Sequence, residues 1–269
     1  MIAGRQIIIK KENIEMIYVT GDTHIPVDIH KLNTKCFEGQ KSMTKDDYLI
    51  ICGDFGLLFN YRETGKRVPS CPDDICWTKE ELYWYDWLNE KPFTTLWVDG
   101  NHENFDRLKK YPTCKWNGGK VHVISDSIIH LMRGQIYEID GYSILAFGGA
   151  PSHDRGITTG TEKIDAHKWW WKEELPSRKE YDQAKRNLKR QNNTVDFIIS
   201  HEAPGVALHR LGLPQNEVSN KLWEIYDHTA FDMWYCGHHH IDTQYGRVRL
   251  LYNDIERIDN LKNYRISLP

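Results

Sequence analysis

Short apolar runs recur along the chain, and each of them ends in glycine or polar residues. Runs of this length without polar alternation are typical of strands that are buried on both faces, as in layered α/β proteins. The pattern therefore predicts an α/β fold. The five runs that lead into acidic, amide or histidine side chains are Ile17–Thr20, Tyr48–Cys52, Thr95–Val98, Phe197–Ile199 and Met233–Cys236.

Longer stretches between these runs have the spacing of amphipathic helices. Residues 78–89 begin with a capping-box pattern, Thr78 followed by Glu81, and carry apolar side chains at helical intervals. Residues 177–191 and 218–228 show the same spacing. We therefore predict three helices, which lie outside the buried strands.

Two further segments alternate apolar and polar positions. Residues 128–149, interrupted by two glycine-containing turns, predict antiparallel hairpins, and residues 243–258 predict another pair of strands around Gly246. Polar, turn-rich residues at about 60–76 and at 150–176 read as insertions. Because the polar strand ends extend from residue 22 to residue 240, two separable halves could not share one site. We therefore expect a single domain over residues 1–269.

Composition narrows the class of protein. The 269 residues include 35 Lys and Arg against 38 Asp and Glu, a net charge of −3, which excludes the broad basic surface of a general nucleic-acid binder. Nucleic acid is then expected only as a substrate. No apolar run approaches the roughly 20 residues of a membrane helix, and the first apolar stretch is too short for a signal peptide. We expect a cytoplasmic protein with no membrane partner, of unspecified oligomeric state.

The polar strand ends carry the candidate chemistry. Asp22 and His24 are two residues apart after a glycine, so their side chains project to the same side of an extended segment, and His238 and His240 repeat this geometry. If the strands share one sheet edge, these groups converge at its carboxyl end with three others, Asp54, Asn101 and His201. Histidine, aspartate and asparagine together favour a two-metal site for Mn, Fe or Zn over a magnesium site.

Five motifs in this order resemble those of the calcineurin-like metallophosphoesterases. They are Asp22-x-His24, Gly53-Asp54, Gly100-Asn101-His102-Glu103, His201 and Gly237-His238-x-His240. Residues 147–155 and 170–176 show a looser resemblance to a bacterial and phage-type subgroup of this family. The resemblance implies a four-layer αββα sandwich of two mixed β-sheets flanked by helices.

The resemblance also implies a role for each motif residue. One metal would be held by Asp22, His24 and His240, the other by Asn101, His201 and His238, with Asp54 bridging the two. A hydroxide between the ions would attack phosphorus in line, and His102 would donate a proton to the leaving group. The expected cofactor is thus a pair of divalent ions, with Mn first and Fe, Zn, Ni or Mg as alternatives.

The second motif departs from the phosphoprotein phosphatases of this superfamily. Leu57 and Leu58 stand where those enzymes have an aspartate and an arginine, so a phosphoprotein substrate is disfavoured and the residue that orients His102 is left open. We expect Arg155, and also His153, to bind substrate from the insertion at 150–176, because a guanidinium matches two phosphate oxygens.

The expected function is phosphoester hydrolysis, by a phosphatase or phosphodiesterase acting on a phosphorylated substrate of unknown identity. The alternatives are a nuclease or cyclic-nucleotide phosphodiesterase with the same ions, and a non-catalytic scaffold with the same fold. The run Trp169 to Trp171 fits either a platform on which bases stack or an anchor that packs a loop, and we favour packing.

Overall fold

Two mixed β-sheets form the centre of the molecule. The computed structural model describes residues 16–59, 77–156, 158–159 and 167–258. The first sheet contains β1 (Ile17–Thr20), β2 (Tyr48–Ile51), β3 (Thr94–Trp97), β4 (Thr113–Trp116), β5 (Gly119–Ser125), β6 (Ile128–Leu131) and β15 (Ile255–Arg257). The second contains β7 (Gln135–Ile139), β8 (Tyr142–Phe147), β11 (Phe197–Ser200), β12 (Met233–Cys236), β13 (Thr243–Tyr245) and β14 (Val248–Leu250). Two short strands, β9 (Thr158–Thr159) and β10 (His167–Lys168), pair with each other.

The central strands of each sheet run parallel. The strand orders are β15-β1-β2-β3-β6-β5-β4 and β13-β14-β12-β11-β8-β7. Strands β1, β2, β3 and β6 are parallel in the first sheet, as are β8, β11, β12 and β14 in the second. Each of the flanking strands pairs antiparallel with its neighbour in the sheet. Each sheet therefore collects several carboxyl strand ends at one edge, which is where sites form in α/β proteins.

Three apolar cores give the fold its layers. Between the sheets, Ile17 and Leu96 of the first pack with Ile144 and Ile199 of the second. The other face of the first sheet is covered by α1 (Lys79–Asn89) and α2 (Phe105–Leu108). The other face of the second sheet is covered by α3 (Arg178–Arg190), α4 (Gly205–Leu211) and α5 (Glu217–His228). The predicted four-layer αββα architecture is confirmed.

The three predicted helices are present as α1, α3 and α5. In α1 the Thr78 hydroxyl accepts from the Glu81 amide at 3.1 Å, and the Glu81 carboxylate accepts from the Thr78 amide at 2.8 Å. This reciprocal capping satisfies two amides that have no partner inside the helix. Buried Trp84 and Leu88 then fix the helix to the first sheet.

One of the predicted hairpins is wrong. Strands β7 and β8 do form an antiparallel hairpin, but β6, before the first glycine-containing turn, pairs with β3 and β5 in the other sheet. The alternation of apolar and polar residues indicates which side chains are buried but not which sheet a strand joins. It could therefore not show that the chain passes from the first sheet to the second between β6 and β7. The pair β13 and β14 is confirmed, whereas β15 leaves it to pair with β1.

The predicted insertion at about 60–76 lies outside the described residues, and that at 150–176 is described in part. No helix in the described part of the chain has the length and apolar character that crossing a membrane requires.

Candidate metal centre

The polar strand ends of both sheets meet in one cleft. Asp22, Asp54 and Asn101 follow β1, β2 and β3 of the first sheet, whereas His201 and His238 follow β11 and β12 of the second. The polar strand ends therefore do not share a single sheet edge, which was the condition stated for their convergence. Stacking the sheets face to face brings two carboxyl edges together, so each sheet contributes one side of the cleft.

The first group of side chains contains Asp22, His24 and His240. One potential ligand atom from each lies within 4.8 Å of the others. The His240 Nε2 atom is 3.1 Å from Asp22 Oδ2. Asp22 is fully buried, so its carboxylate is aimed into the cleft and away from solvent.

The second group contains Asp54, His201 and His238, whose ligand atoms also lie within 4.8 Å of one another. Asn101 belongs beside them, because its Oδ1 atom is 3.0 Å from His201 Nε2. Asp54 faces both groups: its Oδ2 atom is 3.2 Å from His24 Nε2, and its Oδ1 atom is 3.4 Å from His201 Nε2. All seven predicted ligands are therefore brought together, with Asp54 between the two groups.

Close packing of backbone against side chains shapes the cleft. A Cβ atom on Gly100 would lie 2.0 Å from Asp54 Oδ1, and one on Gly237 would lie 2.1 Å from Asp22 Oδ1. Both distances are far below van der Waals contact, so only glycine leaves room for the two carboxylates. The backbone at His24, Asp54, His238 and His240 has positive φ, a strained conformation that typically accompanies functional sites.

Hydrogen bonds at the outer side of the histidines fix their rings. His24 Nδ1 is 2.8 Å from Asp28 Oδ2, and His201 Nδ1 is 2.8 Å from the carbonyl oxygen of Cys52. Each bond occupies Nδ1 and leaves Nε2 directed into the cleft, the arrangement in which histidine commonly binds metals.

The buried charges favour cations in this cleft. Burial opposes ionisation of Asp54, but His201 and His24 outweigh it and hold its pKa well below the usual value. Burial lowers the pKa of His201, yet Asp54 and Asp22 reverse this and raise it to about 10. Two ionised, buried carboxylates thus attract positive charge, which a proton on His201 or metal ions can supply. Nitrogen and oxygen donors of this kind fit intermediate divalent ions.

His102 lies beside Asp54 and His24, and one of its ring nitrogens is within 4.8 Å of a potential ligand atom of each. Its backbone amide donates to Asp54 Oδ1 at 2.7 Å, and its ring packs against His24 and Phe59 with centroid distances of 5.6 and 6.0 Å. Within the described residues no carboxylate accepts a hydrogen bond from the His102 ring. Two neighbouring rings, those of His24 and Phe59, thus flank the His102 imidazole.

The two predicted substrate residues lie in different places. His153 lines the cleft of about 760 Å³ that contains Asp54, His102 and the histidines after β12. Arg155 instead lines a separate depression of about 880 Å³, and its Nη1 atom is 3.4 Å from Glu217 Oε1. The substrate role of both residues stays a prediction.

Three residues of the site were not singled out from the sequence. Asp28 orients His24, Tyr252 stacks on His240 with a centroid distance of 4.6 Å, and Glu202 is 2.7 Å from His239 Nε2. Asp28 and Glu202 lie within four residues of a predicted ligand, which is a weak sequence signal. Tyr252 gives no local signal, because the turn after β14 brings it to the site.

Comparison with known proteins gives two matches. A family model described as calcineurin-like phosphoesterase matches residues 16–242. The lariat debranching enzyme of Schizosaccharomyces pombe is 25% identical over 169 residues, which cover 61% of this chain and 33% of that enzyme. The chain therefore spans about a third of the length of this relative. Neither match bears on the bacterial and phage-type subgroup, which stays a prediction.

Proposed function

The chain belongs to the calcineurin-like phosphoesterase family, and from that premise we propose that it is a phosphoester hydrolase dependent on two divalent metal ions. The position of Asp54 is the observation that carries this proposal. Its two carboxylate oxygens face different groups of ligand atoms, with His24 on one side and His201 on the other. A single carboxylate in that position suits a pair of ions better than one ion.

The residues that would hold each ion follow from the two groups. One ion would be held by Asp22, His24, His240 and Asp54, and the other by Asp54, Asn101, His201 and His238. When bound, such a pair lowers the pKa of water and neutralises the charge of a phosphoryl group. Mn is the first candidate, with Fe, Zn, Ni or Mg as alternatives, because mixed nitrogen and oxygen donors select intermediate metals.

His102 would complete the reaction. A ring nitrogen of His102 lies within 4.8 Å of Asp54 and His24, and His102 lines the cleft, so it can reach a leaving oxygen and donate the proton that oxygen needs. Asp28 and the Cys52 carbonyl keep the rings of His24 and His201 in position while substrate binds. The chain's contribution is thus to place the phosphoryl group and supply one proton.

Phosphomonoesters and phosphodiesters both remain candidate substrates. Leu57 and Leu58 are buried apolar side chains, and leucine carries neither the carboxylate nor the guanidinium of phosphoprotein phosphatases. We therefore propose a small or medium phosphorylated substrate and not a phosphoprotein.

A substrate and metal panel tests the proposal. Purified protein is stripped with chelator, reloaded with Mn, Ni, Zn or Mg, and assayed on chromogenic mono- and diesters, with bound metal measured by elemental analysis. We expect about two ions per chain and hydrolysis that depends on them. Hydrolysis that is unchanged in the stripped protein, or loaded protein that retains no ion, would contradict the proposal.

A further inference from the structure

The three consecutive tryptophans face different surroundings. Trp171 is fully buried, and its indole nitrogen donates to Asp106 Oδ2 at 2.9 Å. Trp170 lines the depression that contains Arg155. Trp169 exposes 37% of its surface, which makes it one of the most exposed large apolar side chains in the described part of the chain. Trp171 is therefore enclosed by the protein, whereas part of the Trp169 indole faces solvent.

Phe59 lies between Trp169 and Trp171. Side chains two positions apart in extended chain project to the same side, so both indoles reach Phe59, with centroid distances of 6.0 and 6.1 Å. Trp171, anchored by Asp106, holds one edge of this group. A turn closed by the Phe59 amide and the Gly56 carbonyl, 3.2 Å apart, holds Phe59 just after the second motif.

The same Phe59 ring packs against His102, with a centroid distance of 6.0 Å and an interplanar angle of 63°. His102, which lines the cleft, therefore contacts Phe59, and Phe59 contacts the partly exposed Trp169. We call Phe59 and Trp169 the aromatic shelf. It begins at the side chain that would donate a proton to the leaving oxygen and ends at an exposed indole.

We propose that the aromatic shelf stacks the base of a leaving nucleoside, so that the preferred substrate is a phosphoester with a nucleoside on its leaving oxygen. This inference rests on the proposed function. A leaving oxygen must lie at His102 to receive its proton, so the group attached to that oxygen extends over Phe59 and Trp169. Aromatic side chains stack on the π-face of any base.

The position of the shelf favours a nucleoside over a simple aryl ester. In an aryl phosphate the ring is bonded directly to the leaving oxygen and would lie at His102 itself. In a nucleoside the sugar separates the base from the leaving oxygen by several bonds. The base would therefore lie farther from His102, over Phe59 and Trp169. The net charge of −3 favours a short diester over a long polyanion.

Matched diesters test the shelf. The metal-loaded protein is given an adenosine dinucleotide and two analogues, each lacking one base, and chromatography identifies the nucleoside released. The analogue that lacks the base on its leaving side should have a kcat/KM roughly 5- to 150-fold lower than the dinucleotide, which corresponds to the stacking free energy of one base. In Trp169→Ala the ratio of kcat/KM between the substrates with and without that base should shrink towards one, because the indole that stacks on the base is removed. Trp169→Phe should restore part of the preference.

Two measurements separate the shelf from general effects. Tyr83, exposed on α1 and packed on Trp84, provides the control, and Tyr83→Ala should leave the preference intact. Calorimetric titration of the same diesters in chelator, where turnover is absent, should show weaker binding to Trp169→Ala only when the base is present.

The possible failures are distinct. If wild type hydrolyses all three diesters at equal rates and Trp169→Ala changes nothing, the shelf is wrong and the proposed function stands. If neither these diesters nor the chromogenic esters are hydrolysed with any metal, the proposed function itself fails.

Discussion

Three consecutive histidines follow β12, and each has a different partner. The ring of His238 packs on that of His201 at 4.9 Å, His239 contacts Glu202, and His240 reaches Asp22. We predict that His238→Ala and His240→Ala each lose metal and activity, whereas His239→Ala keeps most of both. Elemental analysis and ester hydrolysis on the three variants provide the measurement. Normal metal content in His238→Ala would overturn the assignment of ligands.

His102 should affect turnover without affecting metal content. A general acid typically contributes about 10²- to 10⁴-fold, and it matters most when the leaving group is a poor one. We therefore predict that His102→Ala keeps its ions and loses far more activity on alkyl esters than on p-nitrophenyl esters. Equal losses on both kinds of ester would argue against proton donation by this residue.

Glu174 links two loops beside the cleft through a buried carboxyl. Its Oε2 atom accepts from the Ser152 hydroxyl at 2.6 Å, and its Oε1 atom accepts from the Trp171 amide at 2.9 Å. Burial raises the pKa of Glu174 from 4.5 to about 7, more than the two hydrogen bonds lower it. Folding therefore favours the protonated acid. Its ionisation reduces the free energy of unfolding as the pH rises from 4.5 to 7.

Glu174→Gln should remove that dependence. We predict that this variant gains stability relative to wild type between pH 5 and pH 8, by a few °C in Tm, since about 1 kcal/mol moves Tm by roughly 2–4 °C in a chain of this size. Thermal unfolding in chelator at both pH values measures the difference without contributions from metal. Glu173→Gln, at the exposed neighbouring position, is the control and should show no such trend. A Tm difference between Glu174→Gln and wild type that does not vary with pH would contradict the buried ionisation.

At the scale of elements, helix caps were predictable because their signal is local. The Thr78 and Glu81 pair is formed as the sequence indicated. We predict that Thr78→Ala lowers the free energy of unfolding by about 1 kcal/mol, whereas Thr78→Ser retains most of it. Denaturant titration compares the two variants, and ester hydrolysis should be unchanged in both. A neutral Thr78→Ala would show that α1 is held by packing alone.

The assignment of strands to sheets was predictable only in part, because it depends on contacts distant in sequence. Apolar runs identified β1, β2, β3, β11 and β12, and their polar ends marked the cleft. The same runs could not show that β6 and β7, three residues apart, belong to different sheets. Nor could they bring Tyr252 to His240, since that contact depends on the turn after β14.

At the scale of the whole molecule, the candidate ligands join the two sheets. Asp22 and Asp54 come from the first sheet, and His201 and His238 from the second, so bound ions would link both. Ions that bind only the folded state stabilise it by mass action, by about 2.7 kcal/mol at a hundredfold excess over Kd. We predict that chelation lowers Tm and that added Mn restores it.

Asp54→Asn provides the control for this effect, because it keeps the size of the side chain and removes the charge between the two groups. Its Tm should respond little to Mn or to chelator. An equal response of wild type and Asp54→Asn would show that the stabilising ions bind elsewhere.

The pairing of β15 with β1 has a consequence for synthesis on the ribosome. Tyr18 of β1 lies beside Arg257 of β15 in the first sheet. During synthesis the outer edge of β1 therefore stays uncovered until β15 has been translated. Until then β1 presents unpaired backbone amides and carbonyls, which can pair with strands of other chains. Contacts of such long sequence separation also form slowly. Chains released by ribosomes between residues 240 and 255 should therefore aggregate, even though every candidate metal ligand has already been translated.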